Sequence, residues 1–127
     1  MTLILDTCAL LWLAEGGKHL SGEAREQIED ASVVYVSAIS AFEIAVKCRS
    51  GKLKLPVPPA EWFQDIVDHH GLAIEPLDWD VCMAAVALPP VHKDPCDRFI
   101  IAAAKMRRLT VVTGDPVFRS YGIDVVS

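Results

Sequence analysis

The chain predicts an α/β fold: a three-layer α/β/α sandwich around a mostly parallel central sheet. Two observations carry the prediction. Five short β-branched or leucine-rich runs, TLIL at 2–5, VVYV at 33–36, LAI at 72–74, TVVT at 110–113 and DVV at 124–126, are each bounded by turn residues. Between them lie segments of helical spacing, roughly Ala9–Glu15, Gly22–Ala31, Ile39–Ser50, Ala60–His70, Trp79–Leu88 and Pro95–Arg107. The strand runs are continuously apolar rather than alternating, as expected of strands covered on both faces, and regular alternation with helices implies right-handed crossovers between parallel strands. In open sheets of this kind ligands bind beyond the carboxyl ends of the strands, near the point where strand order reverses.

Taken in order, the first strand ends at Asp6, which together with Thr7 is able to cap the helix beginning near Ala9. After the second strand, SAFE at 40–43 fits an S-x-x-E capping box, and Glu43 also stands one turn ahead of Lys47. The proline-bearing stretches LPVPPAEW at 55–62 and LPPVHKDP at 88–95 read as loops leading into helices, with Pro59 and Pro95 near first-turn positions. Asp94, Pro95 and Asp97 suit the cap, first and third positions of the last helix. Asp115 follows the fourth strand across Gly114 and suits the cap of a short segment before Phe118.

At 127 residues the chain reads as one domain, and 52% apolar with 23% charged residues is a globular balance. A net charge of -5 argues against a broadly basic, nucleic-acid-coating surface. Local basic clusters at Lys47, Arg49, Lys52 and Lys54 and at Lys105, Arg107 and Arg108 read first as solvated helix ends. Cys8, Cys48, Cys82 and Cys96 form no C-x-x-C pair, so small buried thiols in a reducing cytosol are expected. The opening apolar run lacks a preceding Lys or Arg and is interrupted by Asp6, and no stretch approaches a membrane span. A cytoplasmic protein with no membrane partner is expected.

Asp6 and Asp115 sit at carboxyl ends of strands, and Glu43 and Asp97 are placed in the first turns of helices entered from that edge. Singly, each acid has a capping or pairing role open to it. Jointly they would repel, and one or more would have to protonate unless a cation were present. A hard divalent ion removes that penalty. A few Asp and Glu oxygens without Cys or His ligands suit Mg²⁺, with Mn²⁺ as a substitute, and such a site is equipped for phosphodiester hydrolysis.

The stretches ILDTCALLW at 4–12, VSAISAFEIAVKCRSGKL at 36–53, LPPVHKDPCDRFIIAAA at 88–104 and TVVTGDPVF at 110–118 resemble, in order and spacing, the PIN-domain ribonucleases. The resemblance is strongest to the VapC toxins of type II toxin–antitoxin pairs and covers essentially residues 1–127. It implies a Mg²⁺-dependent endoribonuclease acting on RNA, neutralised by a cognate VapB-type antitoxin whose segment fills the catalytic groove, and commonly a homodimer. The family's acidic quartet falls on Asp6, Glu43, Asp97 and Asp115. The resemblance makes Asp6 and Asp97 the principal metal ligands, with Glu43 completing the site or ordering a water and Asp115 as the weakest member. Cys8 stands where a histidine is frequent in the family, and Cys96 where an aromatic or other bulky residue is frequent; a packing role is expected for both.

Other residues are expected to be structural. Thr7 and Ser37 read as caps, Arg98 as the partner of a neighbouring acid, and Trp12, Trp62 and Trp79 as core or interface. His69, His70 and His92 show no ligand-like grouping. A receiver-like signalling domain is disfavoured because no Lys follows the later strand. A catalytically silent binding module that kept the fold is the remaining alternative.

Overall fold

The computed structural model describes residues Met1–Ser127. Its strands are β1 Thr2–Leu5, β2 Val33–Ser37, β3 Ala73–Glu75, β4 Thr110–Val112 and β5 Val125–Val126. The α-helices are α1 Thr7–Ala14, α2 Gly22–Asp30, α3 Ala38–Arg49, α4 Pro59–His70, α5 Trp79–Ala87 and α6 Pro95–Arg107, and a 3₁₀ helix spans Pro116–Tyr121. Each expected element is present within two residues of its expected bounds. The first helix starts earlier than expected, at Thr7, because Asp6 is its cap and accepts the Ala9 amide.

The sheet order is β3-β2-β1-β4-β5 and every neighbouring pair is parallel. The chain lays down β1, β2 and β3 in one direction, then crosses back to the far side of β1. The order therefore reverses between β1 and β4, where Leu5 pairs with Val112. A receiver-like sheet has its switch point between its first and third strands, which this order excludes.

Side-chain alternation along β1 assigns the layers. Leu3 and Leu5 join one core cluster with Leu10 of α1, Ala24 of α2, Ile44 of α3 and Trp62 and Val67 of α4. Ile4 joins the opposite cluster with Val81 and Ala85 of α5, Ile100 to Ala104 of α6, and Phe118 and Tyr121 of the 3₁₀ helix. α3 serves both, through Ile44 on one side and Ile39 on the other. Ile100, Ile101 and Ala102 are fully buried, so α6 is seated in the core from one turn after its start.

Two local expectations are corrected. The cap of α3 is Ser37, whose Oγ accepts the Ile39 amide, so SAFE is not a capping box. Ser40 lies inside the helix and its hydroxyl bonds Thr7 Oγ1 at 2.8 Å. None of the cysteines is buried: Cys8 is exposed and the other three are partly so. No helix is long and apolar enough to cross a membrane.

Candidate active site

Asp6 leaves β1 at the reversal point. Its amide donates to Val112 O at 3.0 Å, continuing the β1–β4 ladder by one bond. Its side chain is held from two sides: Oδ1 accepts the Ala9 amide at 2.7 Å and Oδ2 accepts the Thr113 hydroxyl. A carboxylate only 5% exposed is thus fixed by its own helix and by the residue after β4. Thr113, 1% exposed, also accepts the Asp115 amide at 3.0 Å, so one hydroxyl orders both strand-end acids.

Asp115 caps the 3₁₀ helix through Oδ1, which accepts the Val117 amide at 3.0 Å. Asp94 caps α6, its Oδ1 accepting the Cys96 amide at 2.9 Å, and Pro95 follows at the first position. That cap sets the first turn and aims Asp97, which does not reach back to Asp94. Asp97 Oδ2 lies 2.8 Å from His92 Nε2, and the same nitrogen lies 3.2 Å from Asp115 Oδ2.

Glu43 is in the second turn of α3 rather than the first. Its Oε2 pairs with Lys47 Nζ at 3.2 Å, one turn on, while Oε1 is buried and without a hydrogen-bond partner. An orphaned buried carboxylate oxygen is costly unless something unseen among the protein atoms satisfies it.

Electrostatics bind the quartet together. The Asp6 carboxyl is raised above its ordinary range by burial, against the Thr113 and Ala9 hydrogen bonds and with further repulsion from Asp115 and Glu43. Asp97 is pushed up to about 7, first by burial and then by Asp94, with His92 opposing and Asp6 and Glu43 adding to the rise. Asp6 thus feels the charge of Asp115 and Glu43, Asp97 feels that of Asp6 and Glu43, and the site carries more negative charge than it neutralises. A hard divalent cation fits this donor set: carboxylate oxygens, one of them unpartnered, with ionisation of Asp6 and Asp97 penalised in its absence. The thiols are poorly suited to nucleophilic roles: partial desolvation of the sulfur and then Asp6 raise Cys8, and partial desolvation with Glu43, Asp94 and Asp97 takes Cys96 up to about 11.

Three expectations change here. His92 does belong to a ligand-like grouping, because one ligand atom each of His92, Asp97 and Asp115 lies within 4.8 Å of the others. Only the loop preceding α6, folded back over its first turn, brings His92 there; the spacing HKDPCD carries no periodic signal for it. Arg98 pairs with no acid. Its guanidinium donates to the carbonyls of Ala85, Leu88, Pro89 and His92 at 2.8, 2.8, 3.0 and 3.1 Å. Thr7, expected as a cap, instead bonds Ser40 and joins α1 to α3 beside the site. Thr113 is a residue sequence reasoning passed over, although its place directly after an apolar strand at a carboxyl end was a usable signal.

Comparison with known proteins places this geometry in a family. Residues 3–124 match the family model for the PIN domain. The chain is 34% identical over 122 residues to Ribonuclease VapC22 of Mycobacterium tuberculosis, covering 94% of this chain and 92% of that protein. Among solved structures, DNA-bound VapBC from Salmonella typhimurium superposes with a TM-score of 0.72 at 18% identity, covering 99% of this chain and 97% of the other. FitAcB from Neisseria gonorrhoeae does so with a TM-score of 0.68 at 21% identity, covering 100% and 97%. These two likenesses establish the shared α/β fold.

Proposed function

The chain belongs to the PIN domain family, and from that premise we propose that it is a Mg²⁺-dependent endoribonuclease, with Mn²⁺ as a substitute ion, acting as the toxin of a type II toxin–antitoxin pair in the cytoplasm. Residues 1–127 act as a single nuclease domain. The observation that carries the reading is the gathering of Asp6, Glu43, Asp97 and Asp115 around the reversal point with Glu43 Oε1 left unpartnered. The ribonuclease relative adds the substrate class.

In this reading Asp6 and Asp97 hold the ion. Both stand on rigid elements: Asp6 is locked by Thr113 and the start of α1, and Asp97 by a helix anchored in the core. Mg²⁺ in such a site neutralises phosphate charge and makes water a stronger nucleophile at neutral pH. Glu43 offers Oε1 as the acceptor that orients a water, while Lys47 keeps its other oxygen occupied. Asp115 closes the far side beside His92. The RNA is selected by shape and single-stranded exposure rather than by a basic surface, which a net charge of -5 does not provide.

A VapB-type antitoxin is the proposed protein partner. An apolar groove of about 430 Å³ between α3 and α4, lined by Ala41, Phe42, Ala45, Pro59, Ala60 and Phe63, uses the α3 segment that carries Glu43 and suits an apolar antitoxin segment carrying a basic side chain toward the acids. A homodimer is proposed through the outer face of α5, where Trp79, Met83 and Val86 recur at helical spacing and are 77%, 65% and 81% exposed.

The test is incubation of the purified protein with structured and single-stranded RNAs in Mg²⁺, beside EDTA and Asp6→Asn controls. Cleavage that EDTA and the variant both abolish is expected. Cleavage indifferent to either control refutes the metal mechanism, and absence of cleavage from every RNA favours a silent binding module.

A further inference from the structure

His92 is held on every side but one. Its amide donates to the Tyr121 hydroxyl at 2.6 Å, and its carbonyl accepts from Arg98 Nη1 at 3.1 Å. Its ring stands edge-on to the fully buried Phe118, with centroids 5.9 Å apart and planes at 80°. Its Nδ1 accepts the Asp94 amide at 3.3 Å. What remains is Nε2, buried 2.8 Å from Asp97 Oδ2 and 3.2 Å from Asp115 Oδ2 but without a well-aligned hydrogen bond to either.

The Asp94 bond selects the tautomer. A ring nitrogen that accepts a hydrogen bond carries no proton, so in the neutral imidazole Nε2 carries it. The Nε2 proton then faces both carboxylates at close range, with no well-aligned hydrogen bond to either in the ion-free protein. An N–H placed between Asp97 and Asp115 attracts one oxygen of each and so holds the two carboxylates at a fixed separation.

The loop holding His92 is itself fastened. Arg98 gathers two carbonyls from the end of α5 and its exit, Ala85 and Leu88, and two from the loop, Pro89 and His92. Tyr121, only 5% exposed, donates its hydroxyl to Pro89 O at 2.9 Å while receiving the His92 amide. Arg98 is adjacent to Asp97 but points to the opposite side, so a single turn of α6 both presents the carboxylate and secures the loop that orders it.

We infer that Arg98 and Tyr121 are positioning residues: they clamp the loop from Leu88 to Asp94 so that His92 Nε2 stands between Asp97 and Asp115 and sets the separation of the two carboxylates at the ion site. The inference rests on the reading that these carboxylates hold a divalent ion, and it takes its magnitude from the 10- to 100-fold loss of metal affinity or activity typical when an outer-shell partner is removed (about that range).

The test separates positioning from both folding and catalysis. ¹⁵N-detected imidazole spectra of the ion-free protein, recorded across a pH series, read the tautomer, with His92 assigned by its absence from His92→Gln. Mn²⁺ binding without RNA, followed by electron paramagnetic resonance, reads the ion site. Wild type is expected to show a protonated Nε2. Tyr121→Phe, which keeps the buried ring, and Arg98→Lys, which cannot span the four carbonyls, are expected to move the His92 resonances toward those of a free imidazole and to weaken Mn²⁺ binding by about 10- to 100-fold while far-ultraviolet circular dichroism stays native. His92→Gln, whose amide can still donate, should bind Mn²⁺ more tightly than His92→Ala. A protonated Nδ1 in wild type overturns the proposal. So does unchanged Mn²⁺ binding in His92→Ala, or clamp variants with native His92 resonances. Failure of wild type itself to bind Mn²⁺, with the tautomer as expected, refutes the metal reading and leaves the clamp standing.

Discussion

Replacing Asp97 by Asn removes one negative charge from a site that repels it, and the consequence for stability is calculable. Burial and Asp94 hold this carboxyl at about 7 in the folded chain against an ordinary value of 3.8. Solvent reaches part of this group and screens it, so the ionised form costs the folded state on the order of 2 kcal/mol rather than the full conversion of that rise. The sign follows from proton counting. Below pH 3.8 both states are protonated and there is no penalty; between 3.8 and about 7 the unfolded chain releases the proton first, so stability falls as pH rises. Above that window the full penalty persists. Asp6, also raised by burial, acts in the same direction, while His70, lowered by burial and by His69, acts in the opposite one; both are common to wild type and variant. The assay is thermal unfolding in EDTA across this window for wild type and Asp97→Asn. The variant should gain on wild type as pH rises, and Mg²⁺ should close the gap by stabilising only the wild type. Cleavage should be lost throughout. Equal pH dependence in the two proteins would refute the electrostatic account, and a variant that still cuts RNA would refute the role given to Asp97.

Other perturbations separate structural from functional acids. Asp94→Ala should cost about 0.5–2 kcal/mol through loss of the α6 cap, read by chemical denaturation, and cleavage should survive; loss of cleavage with unchanged stability would exchange the roles of Asp94 and Asp97. Asp6→Asn keeps a competent helix cap, since Asn caps as well as Asp, yet should lower cleavage by more than about 100-fold, beyond what removing an outer-shell partner does; native circular dichroism with residual full activity would contradict it. Glu43→Gln should raise the Mg²⁺ concentration needed for half-maximal cleavage, because Oε1 is an unpartnered buried acceptor; an unchanged requirement would place Glu43 outside the ion's reach. Gly114→Ala would set a methyl 3.0 Å from Trp12 Cη2, in the turn between Thr113 and Asp115. Overpacking of that kind costs about 1–3 kcal/mol, visible as a lower melting temperature with altered tryptophan fluorescence, and an unshifted melting temperature would show that Trp12 moves freely aside.

The amino-acid sequence by itself determined the α/β class, the five strands and six α-helices to within two residues, and the positions of Asp6, Asp97 and Asp115 at strand ends and a helix start. These are local properties: apolar runs mark strands buried on both faces, and caps and prolines mark helix starts, so each is written within a few residues. Only the tertiary structure decided the strand order, and with it the reversal between β1 and β4 that brings Asp6 to Thr113. It also chose Ser37 over Ser40 as the α3 cap, because two serines three residues apart offer equivalent local signals and the burial of Ser40 against Thr7 decides between them. The role of His92 was the least legible. It depends on a loop fastened by Arg98 to carbonyls 6 to 13 residues away and by Tyr121 at a separation of 29. Backbone carbonyls carry no residue identity, so an arginine that binds four of them leaves no pattern in the sequence to read.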